Sequence, residues 1–154
     1  MKLSKHADYA IRVLVHLAVQ PGRKISVASI AEAENISCNH LIKVSQNLAH
    51  LGYIVGYRGK GGGTALAKPA GGVNLGRLIQ QVERNLRPGD RLQPDRPAES
   101  GKLLEQALED ARARFIESLS RYTLADLVED ALGKRAPVAD VVADLARRDG
   151  SNAG

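Results

Sequence analysis

Ser37-Cys38-Asn39-His40-Leu41-Ile42-Lys43-Val44-Ser45-Gln46-Asn47-Leu48-Ala49-His50-Leu51-Gly52-Tyr53-Ile54-Val55-Gly56-Tyr57-Arg58-Gly59-Lys60-Gly61-Gly62-Gly63-Thr64-Ala65-Leu66 is the stretch whose periodicity changes half-way along. Leu41, Val44, Leu48 and Leu51 recur at steps of three and four, which predicts a helix from Cys38 to Leu51 with one apolar side. Its other side carries Asn39, His40, Lys43, Gln46, Asn47 and His50. Gly52 stops it, and Ser37 stands where a helix is capped. The short run Tyr53–Tyr57 then reads as a strand and Thr64–Ala67 as a second. The two strands flank Arg58-Gly59-Lys60-Gly61-Gly62-Gly63, so a hairpin is expected. The three glycines do not make a nucleotide loop, because the Gly-Lys-Ser/Thr ending is missing and a strand follows instead of a helix.

Upstream, Ala7, Ala10, Ile11, Leu14, Leu17 and Ala18 form one stripe of a helix over residues 5–20, ended by Pro21-Gly22. Ser26 can cap a short helix over 27–34, with Ile30 and Ala31 inward. Asn35 can take the left-handed conformation that ends it, and Ile36 plugs the turn. Downstream, Asn74 can cap a helix over 75–85. Residues 86–99, with Pro88, Pro94 and Pro97, are expected to be a loop. A long helix over 100–121 carries Leu104, Leu108, Ala111, Phe115, Leu119 and Tyr122 on one stripe. Thr123 caps a last helix, Leu124 to Ala131. The tail, 132–154, has one amphipathic piece over 138–146 and is expected to be partly disordered. The fold class is therefore mainly α with a small β-hairpin wing: a winged helix-turn-helix over 1–85, the 86–99 loop, and a long C-terminal helix region over 100–131.

Charge follows the same division. Residues 1–72 hold nine Lys/Arg and three Asp/Glu, a balance of +6, while the remainder of the chain carries −1 of the overall +5. A basic half suggests a polyanion contact at the N-terminal part. A helix that reads bases must present polar side chains near its N-terminus. Asn39 can pair with adenine, and Lys43 can donate to guanine or phosphate. Arg58 and Lys60, on a loop opened by Gly59, can enter a minor groove or track the backbone. The candidate DNA-binding residues are Ser37, Asn39, His40, Lys43, Gln46, Asn47, Arg58, Gly59 and Lys60. The stripe Leu104, Leu108, Ala111, Phe115, Leu119 and Tyr122 exceeds what one small winged domain can cover, and a homodimer is expected there. The alternative is that this stripe folds back on its own domain.

Several motifs resemble the IscR/NsrR-type transcription regulators: Asp8-Tyr9-Ala10-Ile11-Arg12, Asn39-His40-Leu41-Ile42-Lys43-Val44, Leu51-Gly52-Tyr53, Arg58-Gly59-Lys60-Gly61-Gly62 and Tyr122-Thr123-Leu124-Ala125-Asp126-Leu127. The resemblance runs over residues 1–131 in unbroken order. It implies a homodimeric repressor on a near-palindromic operator. Cluster-binding members of that family carry three cysteines spaced six apart; their positions fall here on Asp90, Arg96 and Lys102, none of them a thiol. Asp8 matches a carboxylate ligand of some relatives. An iron–sulfur cluster needs thiolate ligands, so no cofactor is expected and no metal site.

The only cysteine, Cys38, excludes an intrachain disulfide. Oxidation or nitrosation there would place a bulky group beside DNA, a candidate redox switch; the alternative is an inert small residue. His6, His16, His40 and His50 form no convincing metal site. No membrane span is expected, and a soluble cytoplasmic protein is. A small-molecule effector or a partner protein remains open as the signal. No enzyme signature is present in the form of a nucleophile–base constellation. A winged-helix module that binds protein rather than DNA is the rival reading.

Overall fold

The computed structural model describes residues 3–83 and 98–133. Six helices and one two-stranded sheet follow in the order α1 (Lys5–Val19), α2 (Val27–Ala33), α3 (Cys38–His50), β1 (Ile54–Tyr57), β2 (Gly63–Leu66), α4 (Leu75–Val82), α5 (Ala98–Ser120) and α6 (Leu124–Ala131), with a single 3-10 turn at Ala70–Gly72. The predicted fold class, a helical protein with a small hairpin, is the observed one. Positions 86–97 of the expected loop and the tail from 134, with its amphipathic piece, lie outside the described residues.

The helix-turn-helix is built by backbone chemistry visible in the sequence. Ser26 caps α2, its hydroxyl accepting from Ser29 N. Asn35 ends α2 at φ 52°, in the left-handed region. There Ile36 N donates to Ala31 O and Asn35 N to Glu32 O, a pair of hydrogen bonds that satisfies the last carbonyls of a helix. The same pattern closes α3: Gly52 sits at φ 75°, and Tyr53 N donates to Leu48 O. The chain therefore turns sharply twice, once into α3 and once out of it into β1.

β1 and β2 pair antiparallel, Ile54 opposite Leu66 and Tyr57 opposite Gly63. A bridge not foreseen from the sequence ties this hairpin to the segment before α2. Ile25 N donates to Thr64 O at 2.9 Å, Thr64 N to Ile25 O at 2.7 Å, and the Thr64 hydroxyl to Ile25 O at 3.0 Å. Gly63 lets the strands come this close: a Cβ there would lie 2.9 Å from the Ile25 carbonyl carbon.

The core centres on α1. Ala7, Ala10, Val13, Leu14, Leu17 and Ala18 are buried. Val13, which the predicted stripe leaves out, is fully covered, while Ile11 is only partly so. The reason is that α1 is packed from several sides, by α3, α4, α6 and β2, so a single stripe underestimates its buried face. Leu124 of α6 is fully buried in the same core as Leu41 and Leu48 of α3. The core thus crosses the division expected between 1–85 and 100–131. Backbone bonds stitch that crossing: Leu75 N to Tyr122 O, Leu124 N to Val73 O, and Asn74 Nδ2 to Ser120 O at 2.7 Å.

The stripe predicted for dimerisation divides in two. Phe115, Leu119 and Tyr122 pack against the core of their own chain. Leu104, Leu108 and Ala111 do not; Leu103 is 77% and Leu108 48% exposed. The folding-back alternative therefore describes the C-terminal half of α5, and among the described residues the N-terminal half has no apolar partner in the core. Where Gly76 faces α5 the two helices are in close approach, and a Cβ there would overlap Ile116 O and the backbone nitrogen of Ser120.

Candidate nucleic-acid interface

The candidate interface comprises α3 and the hairpin. Leu41, Val44, Ser45 and Leu48 face inward, and Asn39, His40, Lys43, Gln46 and His50 face solvent. Four of the predicted reading residues, Asn39, His40, Lys43 and Gln46, thus share one open surface. Asn47 does not share it. It is half-buried, and its amide Nδ2 donates to His6 Nε2 at 2.9 Å, joining α3 to α1. An amide nitrogen can only donate, so the imidazole nitrogen it meets is the accepting one. Asn47, expected among the DNA-binding residues, is thus set apart from the other four by its bond to α1.

Ser37 is exposed and occupies the N-cap position, yet its side chain makes no capping bond. This corrects the capping role expected for it. The first amides of α3 consequently lack a side-chain cap, and amides in that position suit a phosphate oxygen. Cys38 is half-buried and packs against the core, on the flank of α3 and not on its outward face.

Arg58, Gly59 and Lys60 are exposed at the hairpin tip. The tip is a closed turn in which Gly62 N donates to Gly59 O at 2.9 Å. Gly59 and Gly61 adopt φ of 89° and 80°, which only glycine takes without strain. A cation missed by the sequence reading joins this side of the molecule: Lys24 Nζ lies 4.2 Å from the centre of the exposed Tyr57 ring. The Ile25–Thr64 bridge brings Lys24 there, and that pairing has no signature in a local pattern. At the base of the hairpin Lys68 lies over Tyr53 at 4.7 Å, and the Tyr53 hydroxyl donates to Gln81 Oε1 at 2.5 Å. Burial pushes the Tyr53 phenol up from its ordinary value.

A polar network joins α1 to the end of α2. Arg12 donates to Asp8 at 3.0 Å and to Glu34 at 3.2 Å, and His16 Nδ1 lies 3.6 Å from the other Glu34 oxygen. Hydrogen bonds to Glu34 and Asp8 hold the Arg12 guanidinium above its ordinary value. Asp8 is therefore engaged within its own helix and with α2 through Arg12.

A helix-turn-helix followed directly by a basic, glycine-tipped hairpin defines a winged-helix DNA-binding protein. Residues 3–130 match the family model described as Rrf2, iron-dependent transcriptional regulator. The chain belongs to that family and is a DNA-binding transcription regulator. Among solved structures it is similar to CymR (YrzC), the global cysteine regulator of B. subtilis: identity is 25% with a TM-score of 0.65, covering 84% of this chain and 97% of that one. The oxidized form of Staphylococcus aureus CymR is 28% identical with a TM-score of 0.61, covering 84% and 97%. T. potens IscR is 26% identical with a TM-score of 0.68, covering 89% and 93%.

The family description implies iron, and the donor set here does not fit a thiolate-held iron group. The chain has one cysteine, and that cysteine packs from α3 against the core. Asp8 is taken by Arg12. Among the described residues no three His, Cys, Asp or Glu side chains group in a way that could hold a metal ion. Of the three positions that match the cluster cysteines, Lys102 is exposed on α5, while Asp90 and Arg96 lie outside the described residues.

Proposed function

We propose that this regulator is a homodimeric repressor that binds a near-palindromic operator and works without an iron–sulfur cluster. The observation that carries the DNA face is the shared open surface of Asn39, His40, Lys43 and Gln46, with Arg58 and Lys60 on the adjacent wing. In this reading α3 lies in the major groove, and Asn39 and Lys43 meet base edges near its N-terminus. Ser37 and the first amides of α3 meet phosphate. The wing cations, with Lys24 beside them, add backbone contacts that set affinity more than specificity. The dimer reading rests on the N-terminal half of α5, where Leu103, Leu104 and Leu108 stand open to solvent. Two α5 helices packed there would place two reading heads on one face of the duplex, and occupancy would obstruct the promoter.

Among the described residues no helix is long and apolar enough to cross a membrane, in keeping with a cytoplasmic regulator. We assign it no catalytic role. The signal would act by changing the separation of the two heads. A thiol signal at Cys38 is a second reading, favoured by the existence of an oxidized form of the S. aureus relative. At Cys38 it would act on packing against the core, since the thiol is half-buried.

The test is duplex binding by the full-length protein over a range of salt. Asn39→Ala should lose preference among sequences, and Arg58→Ala with Lys60→Ala should lose affinity for all of them. Unchanged binding in both variants overturns the assigned face. Iron and sulfide assay with an anaerobic spectrum checks the cluster-free reading; a coloured, iron-containing protein overturns it.

A further inference from the structure

One side chain on the open surface of α3 is accounted for neither by the core nor by the polar contacts proposed above. Ile42 is 40% exposed and is not among the apolar residues packed against the core. Ile42 stands three residues after Asn39 and four before Gln46, which makes it a surface neighbour of both, with Lys43 next to it in the chain. A β-branched residue is a poorer helix former than alanine, lysine or glutamine, so local helix stability does not call for isoleucine here. The chemistry that would use it is specific. In the major groove every base presents hydrogen-bonding atoms, and the one apolar group is the 5-methyl of thymine.

We propose that Ile42 is a specificity-determining residue that packs against the 5-methyl group of a thymine, beside the bases read by Asn39 and Lys43. The inference rests on the reading of α3 as the recognition helix and adds to it a contact that carries no hydrogen bond. Burying one methyl against Ile42 gives about a fourfold gain in affinity for each thymine so read. Lys43 alone cannot make that discrimination, because its ammonium donates equally to thymine with or without the methyl.

The experiment uses the full-length protein and a duplex enriched by it from a random library. Each thymine of that duplex is replaced in turn by deoxyuridine, which pairs identically and lacks only the methyl. The expected result is a loss of about fourfold at one or a few thymines for the parent protein. Ile42→Ala should bind the thymine and deoxyuridine duplexes equally, at the lower affinity. Its urea midpoint should be no lower than the parent's, since the side chain lies outside the core and alanine is the better helix former. The inference is overturned if no replacement weakens the parent, or if Ile42→Ala discriminates as well as the parent does. Asn39→Ala and Lys43→Ala on the same duplex separate the two failures. If they weaken binding while the methyl effect survives in Ile42→Ala, this inference alone falls. If neither they nor Ile42→Ala alter binding, the assignment of α3 falls and takes the inference with it.

Discussion

Gly76→Ala should destabilise the protein although it replaces glycine by the best helix former. A Cβ at position 76 would overlap the Ile116 carbonyl oxygen and Ser120 Oγ, and would lie 2.8 Å from Ser120 N. Two of these three atoms are backbone, so no rotamer change relieves the contact. The third is already held, since the Ser120 hydroxyl donates to Ile116 O at 2.8 Å. α4 must therefore move away from α5, and overpacking of this kind costs about 1–3 kcal/mol. The shift also stretches the bond from Asn74 Nδ2 to Ser120 O, worth about 1 kcal/mol. Against this stands a gain of about 1 kcal/mol from alanine in a helix. The balance is a loss of about 2 kcal/mol. It would be read from urea unfolding at one fixed protomer concentration, since association contributes to apparent stability. Gly56→Ala is the matched control: it lies in β1 at ordinary φ, with nothing within 4 Å of its would-be Cβ, and should be neutral or slightly stabilising. A Gly76→Ala variant as stable as the parent would show that the two helices do not meet at the separation described here.

Ser45→Ala should raise stability by about 1 kcal/mol in the same assay, because the Ser45 hydroxyl is buried with no hydrogen-bond partner among the described residues. A drop instead would reveal a partner for that hydroxyl. Arg58→Ala with Lys60→Ala should lower the slope of log affinity against log salt by about 0.9 for each phosphate contact removed, measured by fluorescence anisotropy; an unaltered slope places the wing off the DNA. Tyr53 gives an alkaline dependence. Burial raises its folded value above the ordinary 10.0, so the neutral phenol's contribution is complete below pH 10 and is lost as pH rises through the raised value. Tyr53→Phe should be less stable at neutral pH by about 1 kcal/mol, through loss of the bond to Gln81, and should decline less than the parent above pH 10 in thermal melts. Asn35→Ala should cost about 1 kcal/mol, the strain of a left-handed conformation on a residue without asparagine's local bonding, while Asn35→Gly should be neutral or better.

The parts of the fold that sequence foretold are those in which backbone chemistry and periodicity coincide. Asn35 and Gly52 mark the ends of α2 and α3 because few residues tolerate the φ needed there. The passage from α3 to the hairpin shows as a change of apolar spacing from about 3.6 to 2. Periodicity says which face of an element is apolar; it is silent on what covers that face. That is why the apolar run on α5 could be read as one stripe when its Phe115–Tyr122 half lies on its own core. It is also why Val13 was left out, since α1 is packed from several sides at once. Polar residues are harder still. Asn47 and Gln46 are adjacent and chemically alike, yet Asn47 meets His6 and Gln46 faces solvent; only the position of α1 separates them. Lys24 and Ile42 show the same limit from the other side, their placement depending on a 39-residue separation in one case and, in the other, on no covering element among the described residues.

The stitching of residues 73–75 to residues 120–124 bears on how the polypeptide is made. Leu124 is fully covered in the core that α1 and α3 share, and the Val73 carbonyl and Leu75 amide find their partners at Leu124 and Tyr122. When the ribosome has released only the helix-turn-helix and the hairpin, the place of Leu124 is empty and those two groups have only water to bond. The core beneath α3 is therefore completed late, by residues 120–124, which follow well after β2 ends at Leu66. A nascent chain has α3 and its polar face well before it has a stable platform to hold them. Completion of the N-terminal core is thereby tied to α6: a chain ending before Tyr122 lacks both the Leu124 side chain and the protein partners of Val73 O and Leu75 N.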